Sequence, residues 1–250
     1  MRGISVLPGS RLRRPSAFLL TASLVLAGAA RANTSHWDAS SGTLPDQMTC
    51  PWTKVNNTLN QPAISGGKLT ISTNTNGVNN TYYSQGLPSG GGITMPPDSL
   101  VVEFNVRYVS GATGNTARAP ISVVLETSGY RGTAFFIGSG EFFFTSANLT
   151  RGGTATLPTS DALHLYRIVV VGTALRIYRD GALKLTGSTF FDNSSGAFAG
   201  YARIQWGEGS SLAYGTSEWT SFIHNAATAT NCTVTPVRAS SWGSLRRTYR

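Results

Sequence analysis

The segment over residues 163–185 constrains the fold more than any other, because it has the pattern of three strands joined by two tight turns. Apolar and polar residues alternate through LHLYRIVVVGTALRIYRDGALKL, which is the period of strands with one buried face. Gly172-Thr173 supplies the first turn. Asp180-Gly181 supplies the second, with the residue pair that a type I′ hairpin turn prefers. The segment therefore predicts a β-meander.

Similar strand-like segments recur along the chain, and no stretch has a sustained helical period. From 100 to 109, apolar residues face one way, whereas Glu103, Asn105 and Arg107 face the other. Further strands are predicted over residues 68–73, 121–126, 134–137, 141–145, 201–206 and 218–224. Roughly a dozen strands separated by turn residues indicate an all-β fold, a two-sheet antiparallel sandwich.

The first 32 residues have the pattern of a secretory signal peptide. Basic residues between Arg2 and Arg14 precede an apolar run over 17–26, and Ala30-Arg31-Ala32 forms a small-x-small cleavage site. An uncleaved membrane anchor is the alternative, but the apolar run is short for a span, and no later segment is apolar enough to be one. We expect cleavage before Asn33 and a secreted, extracellular or cell-surface protein.

The formal net charge of +9 resides in the two ends of the chain. Residues 1–32 carry five of the 20 basic residues and residues 236–250 carry four, so residues 33–235 hold 11 basic and all 11 acidic residues. A neutral sandwich gives no electrostatic reason to bind nucleic acid. The predicted divisions are a signal peptide (1–32), a β-sandwich (33–235) and a basic C-terminal tail (236–250).

The chain has two cysteines, Cys50 and Cys232, near opposite ends of the predicted sandwich. In an exported protein the default prediction is one disulfide, with two unpaired thiols as the alternative. Pairing would place the first and last parts of the sandwich side by side.

Four short motifs follow one another over residues 36–226. They are Trp37-Asp38 before a Gly/Ser-rich stretch, GGKLTI at 66–71, YRI and YRDG within the meander, and IQWGE at 204–208 followed by SEW at 217–219. In this order they resemble the concanavalin A-like lectin/glucanase superfamily, including its laminin-G-like members. The resemblance implies a jelly roll of two packed sheets, one concave, with its termini close together. Because the superfamily includes lectins, glycosidases and adhesion modules, the resemblance alone implies no activity.

The closing strands offer aromatic and polar residues near a loop, which is the chemistry that sugar binding needs. The predicted ligand-binding residues are Arg203, Gln205, Trp206, Glu208, Tyr214 and Trp219. Strand alternation places Ala202, Ile204 and Trp206 on one side, and Arg203 and Gln205 on the other. Core packing is the alternative role for Trp206 and Trp219. Further candidates are Tyr82, Tyr83 and Tyr130.

Catalysis and metal binding have weaker signals in this sequence. Laminarinase-type members of the superfamily carry paired carboxylates as E-x-D-x-x-E, and this motif is absent. Glu103, or Glu208 with Glu218, would have to supply an unrecognised pair. No catalytic residue, metal ligand or cofactor is predicted, although Asp38, Asp192 and Glu208 leave calcium open. The histidines (His36, His164 and His224) accompany no catalytic or zinc motif.

The tail places Trp242, Leu245 and Tyr249 on one helical face among arginines, and it resembles short sorting or docking endings of some exported bacterial proteins. Three functions follow. The first is a lectin-like domain that binds carbohydrate or another extracellular or cell-surface ligand without catalysis. The alternatives are a glycan-acting hydrolase and a structural or adhesion module anchored or sorted through residues 236–250.

Overall fold

The structure is a computed structural model that describes residues 35–56, 61–74, 80–86, 93–94, 99–113, 117–127, 131–145, 150–187, 191–192, 202–208 and 213–228. The predicted signal peptide, the basic tail, Cys232 and Tyr130 lie outside these ranges. None of the helices within the described ranges is long and apolar enough to cross a membrane.

Strands dominate the described residues, with two short 3₁₀ helices at Ala39–Ser41 and Pro45–Gln47. The strands are β1 (Ser35–Asp38), β2 (Thr53–Asn56), β3 (Ala63–Ser65), β4 (Lys68–Ser72), β5 (Thr81–Gln85), β6 (Ile93–Thr94), β7 (Leu100–Thr113), β8 (Ile121–Thr127), β9 (Arg131–Gly138), β10 (Glu141–Thr145), β11 (Arg151–Thr156), β12 (His164–Val171), β13 (Ala174–Arg179), β14 (Ala182–Gly187), β15 (Phe191–Asp192), β16 (Arg203–Glu208), β17 (Ala213–His224) and β18 (Ala227–Thr228).

The predicted meander is confirmed as β12, β13 and β14, which pair antiparallel in sequence order. Asp180 and Gly181 have φ angles of 50° and 80°, as a type I′ turn requires. The Asp180 carboxylate also accepts the backbone N–H of Leu165 at 3.0 Å, which ties the turn to the start of β12.

Two sheets contain most of the described strands. Sheet I has the order β14-β13-β12-β7-β17-β4-β3, and β1 also pairs with β17. Sheet II has the order β11-β10-β9-β8-β16-β5-β2, and β15 also pairs with β9. The strand pairs within both sheets are antiparallel. The predicted all-β jelly-roll sandwich is therefore confirmed.

More strands form than the sequence pattern indicated. Some of the additional ones are short, such as β1 and β3, and β11 is rich in glycine, so none has a long apolar alternation. β7 also continues four residues beyond its predicted end at Val109. There Gly111 pairs with Gly215, and a Cβ on Gly111 would come within 2.7 Å of the Pro120 ring. Only glycine allows that close approach.

Aromatic side chains from both sheets form the centre of the core. The ring of Trp206, on β16 of sheet II, lies 4.9 Å from the rings of Trp219 and Phe222 on β17 of sheet I. Trp37 and Tyr83 lie at 5.2 and 5.0 Å from the same indole. Truncating a buried aromatic residue of this kind costs about 3–5 kcal/mol, so this cluster is a main source of contact between the sheets.

Candidate functional site

The side of sheet II that faces away from the core, called here the outer face, carries the candidate site. On β16, Ile204 and Trp206 point into the core, so Arg203 and Gln205 point to the outer face. This is the alternation that the sequence predicted. Arg203 and Gln205 are nevertheless almost fully buried. Polar side chains on the outward side of a sheet are ordinarily solvated, so this face is an unusual environment.

A row of outer-face positions crosses sheet II at right angles to its strands. In order, it contains Tyr82 on β5, Gly207 on β16, Ser122 on β8, Phe136 on β9 and Phe143 on β10. Tyr82 and Phe136 are three strand spacings apart, about 14 Å. The row thus has aromatic rings on both sides of two small residues, Gly207 and Ser122, which are both buried.

Gly207 is required in this row by the backbone. Its φ is +123°, and a Cβ there would lie 2.8 Å from the carbonyl oxygen of Thr81. Residues with side chains rarely adopt such a φ. The gap between the aromatic residues therefore follows from the local conformation of β16.

Polar groups lie in the neighbouring row. Gln205 is the cross-strand neighbour of Ser84 on β5 and of Val124 on β8. Ser84 is completely buried, and its Oγ has no hydrogen-bond partner in the described part of the chain. A buried hydroxyl without a partner is energetically costly and is a feature that calls for an explanation.

The third row contains a buried ion pair between β16 and β8. Arg203 donates from Nε and from its terminal NH2 group to the two Glu126 carboxylate oxygens, at 2.6 and 2.7 Å. This bidentate geometry offsets much of the cost of removing both charges from water. Burial raises the pKa of the Tyr82 phenol, and the Arg203 charge opposes that rise, so the guanidinium acts on the tyrosine in the first row.

The other end of the outer face carries two phenylalanines beneath two arginines. Phe136 and Phe143 stack with their rings 5.5 Å apart. The Arg151 guanidinium lies 4.1 Å from the centre of the Phe143 ring, and the Arg118 guanidinium lies 5.4 Å from that of Phe136. Arg151 is also bonded to Glu141. Cation–π contacts of this kind hold guanidinium groups in place over an apolar surface.

Solvent reaches the outer face at its margins. Tyr82, Arg118 and Arg151 are half-buried, whereas Ser84, Gln205 and Phe136 below them are almost inaccessible. The arrangement has aromatic and guanidinium groups at the margin, and amide and hydroxyl groups buried below them. The Tyr82 hydroxyl and the Arg118 guanidinium at the margin can form hydrogen bonds with a ligand that carries several hydroxyl groups.

The outer side of sheet I has a different character, because ion pairs occupy it. Glu218 accepts from Lys68 Nζ at 3.0 Å and from Arg107 at 2.8 Å, and Glu103 faces Arg167 at 3.4 Å. Glu103 lies on the polar side of β7, as alternation predicted, but it is only 6% exposed. Burial raises its pKa and the Arg167 charge opposes that rise.

The six predicted ligand-binding residues lie in three places: the outer face of sheet II, the interior of the sandwich and the outer side of sheet I. Arg203 and Gln205 lie together on the outer face of sheet II. Trp206 and Trp219 are completely buried in the core, so the core-packing alternative describes both, and they have no surface on which a sugar could stack. Glu208 is the inward-facing neighbour of Trp206 along β16 and is 2% exposed.

Tyr214 is separated from Arg203 and Gln205 by the sandwich. It is half-exposed and lies on the same side of β17 as Thr216 and Glu218, which places it on the outer side of sheet I. Among the other tyrosine candidates, Tyr82 lies on the outer face of sheet II and Tyr83 lies in the core.

The proposed carboxylate pairs do not come together in the described residues. Glu208 points into the sandwich, whereas Glu218 lies on the outer side of sheet I in its ion pairs. On β9 of sheet II, the outward positions are Gly132, Ala134, Phe136 and Gly138, and none of them is acidic. On β8, the middle strand of the sheet, the outward acid Glu126 is bonded to Arg203.

The candidate metal ligand Asp38 and the histidine His164 have structural partners. No three or more histidine, cysteine, aspartate or glutamate side chains in the described ranges group so as to hold a metal ion. Asp38, a calcium candidate, accepts the backbone N–H of Ser40 and caps a 3₁₀ helix. His164 lies 2.8 Å from Asp180 and 2.9 Å from Asp161 beside the β12–β13 turn.

Sequence reasoning missed Ser84, Ser122, Phe136, Phe143 and Arg118. A signal for the phenylalanines was present, because AFFI and FFF place apolar residues on both faces of β9 and β10. A strand with one solvated face should alternate, so an unbroken aromatic run indicates that both faces are covered. The serines and Arg118 carry no such signal.

No family model matches the sequence, and no curated protein matches it. The fold is similar to that of solved structures. The Emp47p carbohydrate recognition domain is 10% identical over 79% of this chain and 96% of that chain, with a TM-score of 0.48. The Crh5 transglycosylase in complex with NAG is 16% identical over 80% and 86%, with a TM-score of 0.48. The Bacillus licheniformis beta-glucanase is 12% identical over 77% and 97%, with a TM-score of 0.43. These similarities concern the fold alone, and the two-sheet architecture agrees with the concanavalin A-like resemblance of the sequence motifs.

Proposed function

We propose that this protein is a lectin-like domain that binds carbohydrate, without catalysis, on the outer face of sheet II. The observation that carries the proposal is the row in which Tyr82 and Phe136 lie on either side of Gly207 and Ser122. A pyranose ring stacks its C–H face on an aromatic ring and presents hydroxyl groups at its edge. Tyr82 offers the aromatic surface, and Arg203 and Gln205, two of the residues predicted from the sequence, lie in the neighbouring rows of the same face.

The carboxylates of the outer face support binding rather than hydrolysis. A glycosidase needs two carboxyl groups free to exchange protons with the substrate or to attack it. Glu126 is held by Arg203 through two hydrogen bonds, and Glu141 is bonded to Arg151. Neither is positioned as a member of an acid–base pair.

The setting that we propose for this activity is outside the cytoplasm. The pattern of residues 1–32 supports export, and a lectin-like domain acts where glycans are exposed. N-terminal sequencing of the exported protein should find Asn33 at its start. An intact Met1 or Arg2 terminus would contradict the predicted cleavage.

The proposal is tested with the exported protein on a glycan array, in the presence and in the absence of calcium. Hits are then titrated against Tyr82→Ala and against Tyr178→Ala as the matched control, since Tyr178 is a half-buried tyrosine on the outer side of sheet I. Loss of a stacking residue should weaken binding on the order of ten-fold, whereas the control should bind like the unchanged protein.

Three outcomes would overturn the proposal. If no glycan binds, the carbohydrate function is wrong. If Tyr178→Ala weakens binding and Tyr82→Ala does not, the binding surface is the wrong one. Release of reducing ends from a bound polysaccharide would show a hydrolase instead of a lectin.

A further inference from the structure

The outer face of sheet II has more positive than negative groups among its described side chains. Its arginines are Arg118, Arg151 and Arg203, and its carboxylates are Glu126 and Glu141. Arg203 is neutralised by Glu126, and Arg151 by Glu141. Arg118 therefore carries the remaining charge of this face.

Arg118 differs from an ordinary surface arginine in its surroundings. No described carboxylate lies within ion-pair distance of it, and one of its terminal nitrogens donates to the carbonyl oxygen of Ala117 at 3.1 Å. Its guanidinium lies over the Phe136 ring, next to a small apolar cluster that also contains Ala119, Ala134 and Phe143. Burial lowers the pKa of Arg118, so holding its charge at this position costs free energy.

The position of Arg118 also makes it available to a ligand. It is half-buried at the margin of the outer face, and a guanidinium has five N–H donors in a fixed planar arrangement. The ring of Phe136 covers one of its faces, and the Ala117 carbonyl takes one donor. The donors along the other edges suit the paired oxygens of a carboxylate or a sulfate.

We infer that the carbohydrate bound on this face is anionic, and that Arg118 binds its carboxylate or sulfate group beside the row from Tyr82 to Phe136. The inference rests on the proposed function, because it names the class of sugar that the same face selects. A neutral glycan would leave the Arg118 charge partly desolvated and without a counter-ion. An acidic sugar would supply that counter-ion, so its affinity gains a charge-assisted interaction.

The test is a titration of the exported protein with three oligosaccharides of equal length: a neutral glycan, a uronate glycan and a sulfated glycan. At low salt at least one acidic glycan should bind about ten-fold more tightly than the neutral one, which is the size of a charge-assisted hydrogen bond. Added salt should reduce that preference. The acidic glycan that shows the larger preference identifies carboxylate or sulfate as the group bound.

Three variants locate the preference. Arg118→Gln should reduce the affinity for the acidic glycan to about that for the neutral one. Arg118→Lys keeps the charge but loses the planar donors, so it should retain part of the preference. Arg176→Gln removes an exposed arginine from the outer side of sheet I and should change nothing. Thermal unfolding of each variant shows whether it is folded.

The outcomes separate the two levels of the proposal. Equal affinity for neutral and acidic glycans would overturn the inference and leave the lectin function standing. A preference that survives in a folded Arg118→Gln variant, or is lost in Arg176→Gln, would also overturn it. Binding of no glycan at all would overturn the proposed function and the inference together.

Discussion

His224 shows how completely the core between the two sheets excludes water. The residue ends β17 and is 1% exposed. Its Nε2 lies 2.8 Å from the Gln85 side-chain oxygen, and its ring meets the Trp52 ring edge-on at 5.5 Å. Burial lowers the pKa of this imidazole to about 3, so the side chain is neutral in the folded protein at physiological pH.

That low pKa predicts a loss of stability in mild acid. The unfolded chain binds a proton at His224 below its ordinary pKa of about 6.5, whereas the folded protein does not until about 3. The contribution of His224 to the free energy of unfolding is therefore fully present above pH 6.5. It falls as the pH is lowered, by about 1.4 kcal/mol per pH unit. Urea unfolding between pH 7 and pH 5 measures this slope.

His224→Gln is the comparison for that measurement, since glutamine keeps a polar side chain and does not titrate. The variant should lose stability less steeply with falling pH than the unchanged protein does, whatever its stability at pH 7. His36 also has a pKa lowered by burial and contributes to both slopes equally. Parallel slopes for the two proteins would show that His224 is not the titrating group.

The Arg203–Glu126 pair makes a second prediction for individual residues. Because both side chains are buried, Glu126→Leu leaves a buried guanidinium without its charged partner and should cost about 3–5 kcal/mol. Replacing both residues, as in Arg203→Met with Glu126→Leu, should recover most of that loss. Chemical denaturation of both single variants and the double variant measures the coupling. Additive losses would mean that the two charges do not depend on each other.

Among the elements, β11 shows why a strand can escape sequence analysis. Its sequence RGGTAT has two glycines and no apolar alternation, which is typical of a loop. The Phe144 ring explains the two glycines, because a Cβ on Gly153 would lie 2.7 Å from ring atom Cε1. Gly187, at the end of β14 in the other sheet, leaves space for the same ring. Phe144 thus fills the edge where β11 and β14 approach each other.

This packing predicts that Gly187→Ala destabilises the protein. The added Cβ would lie 2.8 Å from Phe144 Cε2, and Gly152 and Gly153 leave the ring little room to move away. Overpacking of this kind costs about 1–3 kcal/mol. Phe144→Leu in the same chain should relieve the clash, so the double variant should be more stable than the two separate losses imply. Thermal unfolding of the three variants tests this, and simple additivity would contradict the packing argument.

The elements that sequence analysis predicted well are those whose signals are local. The β12–β14 meander was identified from Asp180-Gly181 and strict alternation, and the direction of Arg203 and Gln205 followed from alternation within β16 alone. Period-two patterns are a property of a single strand and need no knowledge of its neighbours. The short strands β1 and β3 lack that period and form because β17 and β4 offer them free edges.

The candidate site was only partly predictable because its rows run across strands. Arg203 and Gln205 belong to one segment, but Tyr82, Ser122 and Phe136 come from three others that are brought together by register. Trp206 was grouped with Arg203 because they are close in the chain, although alternation sends them to opposite sides of sheet II. The sequence defines which residues share a strand face, whereas the pairing of distant strands decides which of them meet.

For the whole molecule, the two outward sides of the sandwich have different roles. The side of sheet I is occupied by ion pairs such as those of Glu218 and Glu103, which satisfy one another. The outer face of sheet II has aromatic rings, and among the described residues its buried Ser84 hydroxyl has no hydrogen-bond partner and its Arg118 guanidinium has no carboxylate partner. A guanidinium without a counter-ion can bind an acidic ligand, which favours sheet II as the binding side.

The predicted disulfide would act on the molecule as a whole, because it would close a ring of about 180 residues around both sheets. Cys50 is 8% exposed beside the start of β2, and Cys232 lies beyond the described residues. In the chain-entropy model a ring of this size is worth up to ~5 kcal/mol. For a domain of this length that corresponds to a fall in Tm on the order of 10 °C when the bond is absent.

Cys50→Ser and Cys232→Ser should each lower Tm by the same amount, and the double variant should lower it no further, because either change removes one bond. Reducing agent should lower the Tm of the unchanged protein to that of the variants and should leave the variants unaffected. The mass of the alkylated, unreduced protein should show no labelled thiol. Two labelled thiols, or losses that add in the double variant, would show that the cysteines act separately.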